Sequence, residues 1–575
     1  MTDEQKALHA LNRLTFGARP GDLEDIRKMG LQAWIDRQLH PESIPENPDL
    51  EARLQPLDTL RLDSKDMVKR YPSRQIVKAI VDGRLPFPQD PEERALVQKL
   101  VAKYRDKLQA DTPNPDPRPT VASLALDDSQ KQILEHGRPP QIAALIESLP
   151  EDEQWNALDA LPQGSLRRLY PPAPADLRRK IQMFNGPAQV VQLDLAQSKF
   201  DRAVYSKRQL EEVMTDFWFN HFNVDIAKGA DRYLVTSYER DAIRPHVFGK
   251  FKDLLTATAE SPAMLFYLDN WQSTGANAVV PVGPNAKRKA GLNENYGREL
   301  MELHTLGVDG GYTQQDVTEV ARCFTGWTIR QPNQGGGFQF APRLHDNGEK
   351  HVLGVTIPAG GGQADGFKVL DILAHHPSTA HFISKSLAIR FVSDNPPEAL
   401  VAKMAATFTA TDGDIRAVME TMLKAPEFWD PANFRSKVKS PLEMVVSAVR
   451  AVNGDMDFVQ QLNGTMTSLG EPLYHKLEPT GYSNRSTDWM NSASLLARMN
   501  FANNLAQGRV QGVKVDTAQF AGDPETIERR LLLMAPSEDA KSAIQAGLAQ
   551  QATQPDRIGP LVAGLTLGSP DFQRR

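Results

Sequence analysis

Apolar residues recur at three- and four-residue spacing along most of this chain, as in Leu23, Ile26, Leu31, Trp34, Ile35 and Leu39, and again in Met214, Phe217, Trp218 and His221. A helix places such residues on one face, so the spacing predicts helices that turn an apolar stripe to a core. Strict alternation, the mark of a half-buried strand, is scarce. Its best instance runs from Phe338 to Ile357, bracketed by Gly335 to Gly337 and Gly360 to Gly362. The expected fold is mainly α: one large helical domain around a central cleft, with a small β-hairpin insertion near residues 335–362.

At 575 residues the chain exceeds an ordinary single domain. Proline clusters at Thr112 to Pro119 and Pro171 to Pro174 disfavour helix and mark boundaries. The predicted parts are an N-terminal helical segment (1–89), a helical insertion with Pro-rich linkers (90–175), a central helical domain carrying the polar site (176–455) and a C-terminal helical segment (456–575). Between Ser273 and Leu292 a stretch rich in Gly, Pro and Asn has the composition of a site loop.

Several function classes are disfavoured. The formal charge of -6 is spread with both signs interleaved, so no basic stripe tracks phosphates and nucleic acid is not an expected partner. No apolar run approaches the roughly 18 residues of a membrane-spanning helix, and none is expected. Cys323 is the single cysteine, which leaves no internal disulfide and no multi-cysteine metal or iron–sulfur site. His-Glu-x-x-His, the phosphate-binding loop, Gly-x-Ser-x-Gly and Cys-x-x-Cys-His are all missing, so no metal or cofactor is expected. Met1 to Leu14 shows no signal-peptide pattern.

The polar centre lies between His221 and Lys350. On a helix beginning near Asn293, Asn295, Glu299 and Glu302 share one face, and Arg298 is placed to pair with Glu302. Two carboxylates in one cleft can differ in pKa when one is desolvated and the other cation-paired, as a general acid and a base or nucleophile require. Asp316 and Asp269 are further candidates. The same residues read equally as solvated ion pairs on an exposed helix, and Thr313 with Asp316 resembles a capping box. His304 lies about 200° around a regular helix from Glu302, at about 100° per residue.

The expected binding groups are Asn295, Arg298, His221, Arg240, Arg244 and Asn270, joined by Trp327, His345, Asp346 and Lys350. Arg240 and Arg244, with Asp269 and Asn270, suit an anionic or hydroxyl-rich ligand, or a buried ion-pair network. Trp327 is a sugar platform or a core aromatic. His345, Asp346 and Lys350 sit in the expected hairpin, as a ligand-covering loop or a plain turn, while Tyr482, Trp489 and Asn491 are expected to fold back over the cleft.

Phrases spread over nearly the whole chain resemble the bacterial family known as domain of unknown function 1800. They include LNRLTFGARPGDLEDIRKMGLQAWIDRQL (Leu11 to Leu39), FWFNHF (Phe217 to Phe222), NENYGRELMELHTLGVDGGYTQQDVTEVARCFTGW (Asn293 to Trp327) and PTGYSNRSTDWMNSASLLAR (Pro479 to Arg498). The resemblance implies a secreted or periplasmic protein, often encoded beside the family numbered 1501, which is itself similar to sulfatases and phosphatases. It carries no activity. The residues favour a hydrolase of glycoside hydrolase type acting on an extracellular bacterial or plant polysaccharide, through Glu299 and Glu302 or one of these with Asp316 or Asp269. Two alternatives stand beside it: a metal- or haem-dependent oxidoreductase built on His221, His304 and a carboxylate such as Glu302, and a noncatalytic polysaccharide-binding or export-associated surface protein.

Overall fold

The structure, a computed structural model, describes residues 1–108, 119–276, 278, 291–551 and 555–575. Most of the Pro-rich segment at Thr112 to Pro119, and residues 277 and 279–290 of the expected site loop, lie outside the described residues. The chain is mainly α, as its spacing predicts. Thirty α-helices and three two-stranded antiparallel sheets occur among the described residues.

The chain divides into two compact units, Asp58–Leu195 and a larger one made of Met1–Leu57 with Ala196–Arg575. The smaller unit packs its helices around residues such as Val77, Leu100 and Leu158. Its polar tie is Arg179, which meets both Asp58 and Asp194, while the Thr59 hydroxyl donates to Asp194 at 2.7 Å.

Two helices of the larger unit are buried on almost every side. Gln209–His221 encloses Val213, Met214, Phe217 and Trp218 together with Glu212, and Pro441–Ala451 is buried from Pro441 to Arg450. A helix surrounded by protein has no solvent face for its polar positions, so each charge needs a counter-charge. Ser440, Pro441 and Glu443 start the second helix as a capping box, with the Ser440 N–H donating to Glu443 Oε2 at 2.9 Å.

The hairpin expected near 335–362 is present as Lys350–Val352 paired with Val355–Ile357. Leu353 and Gly354 turn it with φ of 48° and 77°, the left-handed pair a two-residue loop needs. Phe338–Phe340 pairs backward with Trp327–Ile329.

The hairpin's polar residues are not a ligand-covering loop. Lys350 is fully buried and donates to Asp365 Oδ2 at 2.6 Å, and the His345 Nε2 lies 3.1 Å from the same oxygen. Asp346 takes the Arg322 Nε at 2.9 Å. Trp327 is likewise no platform, because Phe324, Phe338 and Phe367 enclose it completely. Gly366 makes this packing fit: a Cβ there would stand 2.5 Å from the indole.

Removing one partner of a buried ion pair strands the other charge. Asp365→Asn should therefore lower the unfolding free energy by about 3–5 kcal/mol in chemical denaturation. Asp365→Leu combined with Lys350→Met should lose distinctly less, and equal losses would show that the pairing is not what Asp365 supplies.

Candidate functional site

The helix that carried the expected site is not regular. Asn295–Glu299 is α-helical, but Leu300–Thr305 is a π-helix in which the Thr305 hydroxyl donates to Leu300 O at 2.7 Å. π turns widen a helix and shift the phase of the residues beyond them, and they recur at functional sites. Arg298 pairs with Glu294 at 3.5 Å and with Gln314 at 2.9 Å, not with Glu302. Glu299 is half-buried, and burial followed by the neighbouring Glu302 raises its carboxyl above the usual range against the pull of Arg298. Glu302 accepts from the Tyr312 hydroxyl at 3.3 Å, and the Asn295 amide donates to Leu268 O at 3.3 Å.

The other sequence-predicted residues are dispersed. Asp316 closes the capping box with Thr313 and accepts the Leu353 N–H at 2.8 Å; these bonds outweigh its burial and hold its carboxyl below the usual range. Asp269 pairs with Lys228 at 2.9 Å. Asn270 is buried and donates to the carbonyls of Phe324 and Trp327. Arg240 lies against Asp241, and Arg244 makes a two-pronged bond to Glu212 at 2.8 and 2.9 Å. Among the readings of the two arginines, Arg244 follows the buried network.

His221 and His304 meet through one hydrogen bond. The His221 Nε2 donates to His304 O at 3.1 Å among Phe217, Trp218, Phe222 and Phe382. Burial pushes the two imidazoles down to about 4 and about 3, so both are neutral near pH 7. His304 is thus an enclosed neutral group and not a charged cap. Among the described residues no three His, Cys, Asp or Glu side chains are placed to hold a metal ion.

What the structure does assemble is a polar cavity of about 50 Å³ between stretches from across the chain, Arg390 and Arg575 among its lining. Asp216 and Asn220 reach it from the buried helix Gln209–His221, and Lys199 from the helix before it. Glu443 comes from the start of Pro441–Ala451, and Glu471, Tyr474, Tyr482 and Trp489 from the segment after helix Gln460–Leu469.

Two carboxyls in this cavity are held in different states. Lys199 meets Asp216 at 2.8 Å; burial works against the ammonium, but Asp216 and Glu239 outweigh it and raise the lysine. Among the described residues no cation stands within ion-pair distance of Glu471. Burial, and then the charge of Asp216, push its carboxyl up to about 8 although Leu442 N–H donates to it at 2.8 Å. Glu443 is the opposite case: burial opposes ionisation, yet Arg390 and Arg575 hold its carboxyl at about 2. Environment alone therefore makes one carboxyl an acid and leaves another ion-paired.

The aromatic side of the cavity is fixed by Asn220. Its amide donates to Tyr482 O at 2.7 Å and its carbonyl oxygen accepts the Tyr482 N–H at 2.6 Å. Gly481 permits the approach, having φ of 68° and no Cβ, which would sit 2.2 Å from Asn220 O. Trp489 stands 6.2 Å from Tyr482, its indole donating to Ser483 O at 3.0 Å. Tyr482 and Trp489 line this cavity and not the expected cleft around Glu299, while Asn491 caps the helix Ser492–Ala506. Asp216, Glu471, Lys199 and Tyr474 were missed, because no local pattern links residues so far apart.

Glu471 also gives stability a pH signature. A carboxyl that ionises near 4.5 when exposed and about 8 when folded keeps its proton on folding, so stability falls as pH rises from about 4.5 to about 8. Across that window Glu471→Gln should become progressively more stable relative to the unaltered protein in urea unfolding. A constant difference between the two would mean that Glu471 ionises normally.

A family model described as "Protein of unknown function (DUF1800)" matches residues 9–574. No curated protein and no solved structure shows significant similarity to the chain. The match spans the cavity lining from Lys199 to Trp489, and the chain belongs to the DUF1800 family.

Proposed function

We propose that this protein is a hydrolase of glycoside hydrolase type acting on an extracellular polysaccharide, with Glu471 as general acid and Asp216 as base or nucleophile. The observation that carries the reading is the cavity in which a carboxyl kept protonated faces the field of a lysine-paired carboxylate. A glycosidase needs that asymmetry: one carboxyl to protonate the leaving oxygen, the other to activate water or attack the sugar carbon. Tyr482 and Trp489 supply aromatic faces of the kind that pack on sugar rings. At about 50 Å³ the cavity lies well below the roughly 300–1,000 Å³ of a ligand-sized site, so a sugar enters it only if Tyr482 or Trp489 gives way. Glu299 and Glu302 support the same chemistry less well, since Tyr312 and not a cation accompanies Glu302. A secreted or periplasmic location, and a functional partner from the family numbered 1501, rest on the family resemblance.

Glu471 donates only while protonated, so kcat/KM should fall as pH rises through about 8. Release of reducing sugar from a panel of bacterial and plant polysaccharides should drop by about 10²–10⁴-fold in Glu471→Gln and in Asp216→Asn. Glu299→Gln should keep the rate. Binding without release across the panel would replace this reading with the noncatalytic one, and loss of activity with chelator would replace it with a metal-dependent enzyme.

A further inference from the structure

A second concavity lies apart from the cavity in its lining residues, between the helix Leu31–Leu39 and the chain around Tyr205 to Gln209. Its volume, about 390 Å³, falls within the ligand-sized range of roughly 300–1,000 Å³. Gln38 ties the walls together: its amide donates to Lys207 O at 3.0 Å, and its carbonyl oxygen accepts the Leu210 N–H at 3.1 Å. Arg450 fixes the floor by donating to Val204 O at 2.6 Å and to Asp22 at 3.0 Å.

The groove is cationic in a chain of net charge -6. Arg19, Arg37, Lys207 and Arg450 line it against two carboxylates, Asp22 and Asp25. Asp22 is taken by Arg450 and by the Arg19 N–H at 2.8 Å. Arg19 donates to Asn453 at 2.8 Å, a neutral amide. Arg37 and Lys207 are exposed, and neither side chain meets a carboxylate among the described residues. Trp34 is half-buried. Part of its ring packs on the cluster of Ala7, Leu11, Leu23 and Ile26, and its indole N–H meets no acceptor among the described residues. Trp34 and Arg37 stand three residues apart on one helix and so share a face.

An aromatic face beside unpaired cations, with Asn47, Ser206 and Gln209 around them, is the chemistry that recognises a hydroxyl-rich ring bearing a carboxylate. We propose that this groove is a second binding site, for an acidic saccharide whose ring lies against Trp34 and whose carboxylate meets Arg37 and Lys207. The site stands independently of the hydrolase reading, since it is made of different residues and is read by binding alone.

Calorimetric titration of the full chain tests it with a short oligogalacturonate, a neutral oligosaccharide of the same length, inorganic phosphate and a polyglutamate peptide. The oligogalacturonate should bind, and Arg37→Ala combined with Lys207→Ala should weaken it at least about tenfold. Both side chains are exposed, so that variant folds. Trp34→Ala should weaken binding similarly, with Trp34→Phe recovering part of it as a check on folding. Glu471→Gln, which breaks no ion pair, should bind like the unaltered protein, which separates failure of this site from failure of the cleavage reading. Affinity unchanged in the double variant overturns the proposal, as does phosphate, polyglutamate or the neutral sugar binding as tightly as the oligogalacturonate.

Discussion

Charge that cannot reach water governs this structure. Glu443 shows the constraint most plainly: it caps its own helix through Ser440, and it receives Arg390 and Arg575 from elsewhere in the chain. Each role alone is ordinary; together they lock the start of Pro441–Ala451 to the helix Pro377–Phe391. Taking ions out of water costs several kcal/mol each unless geometry and further hydrogen bonds compensate. The arrangement is therefore more specific than it is stabilising, because a shifted helix would strand a charge. Lys199 with Asp216 and Arg244 with Glu212 repeat the device along Gln209–His221.

Glu471 is the exception that makes chemistry available. The other carboxylates named in that neighbourhood have cations, whereas Glu471 has the Leu442 N–H, the Ser440 hydroxyl and the nearby charge of Asp216. A buried acid without a counter-ion keeps its proton. Burial also raises Asp201 and Asp231, but Glu471 brings a carboxyl able to donate a proton near neutral pH to the lining of this cavity.

Helical spacing was legible because it is local: a stripe at three and four residues needs no partner to be recognised. The capping box of Thr313 and Asp316 was legible for the same reason. That of Ser440 and Glu443, written as Ser-Pro-Leu-Glu, could have been read the same way. The cavity was not legible, since Asp216 and Glu471 meet only after more than two hundred residues have folded between them. The Glu299 face keeps Glu302 beside Glu299 but not the expected cation, because Arg298 turns to Glu294 and Gln314. Lys350 looked like a loop cation because its hairpin is rich in glycine, yet Asp365, on the following helix, draws it inside.

The two buried helices also relate the cavity to the groove. Gln209 lines the groove while Asp216 and Asn220 line the cavity; Arg450 belongs to the groove while Glu443 belongs to the cavity. At 1.5 Å per residue, the shared helices hold the two places roughly 10–16 Å apart along their axes. Helices packed on all sides hold such a separation more rigidly than loops do. A ligand that reached both would be measured by the helices themselves, so preference for chain length would follow from the core and not from surface loops.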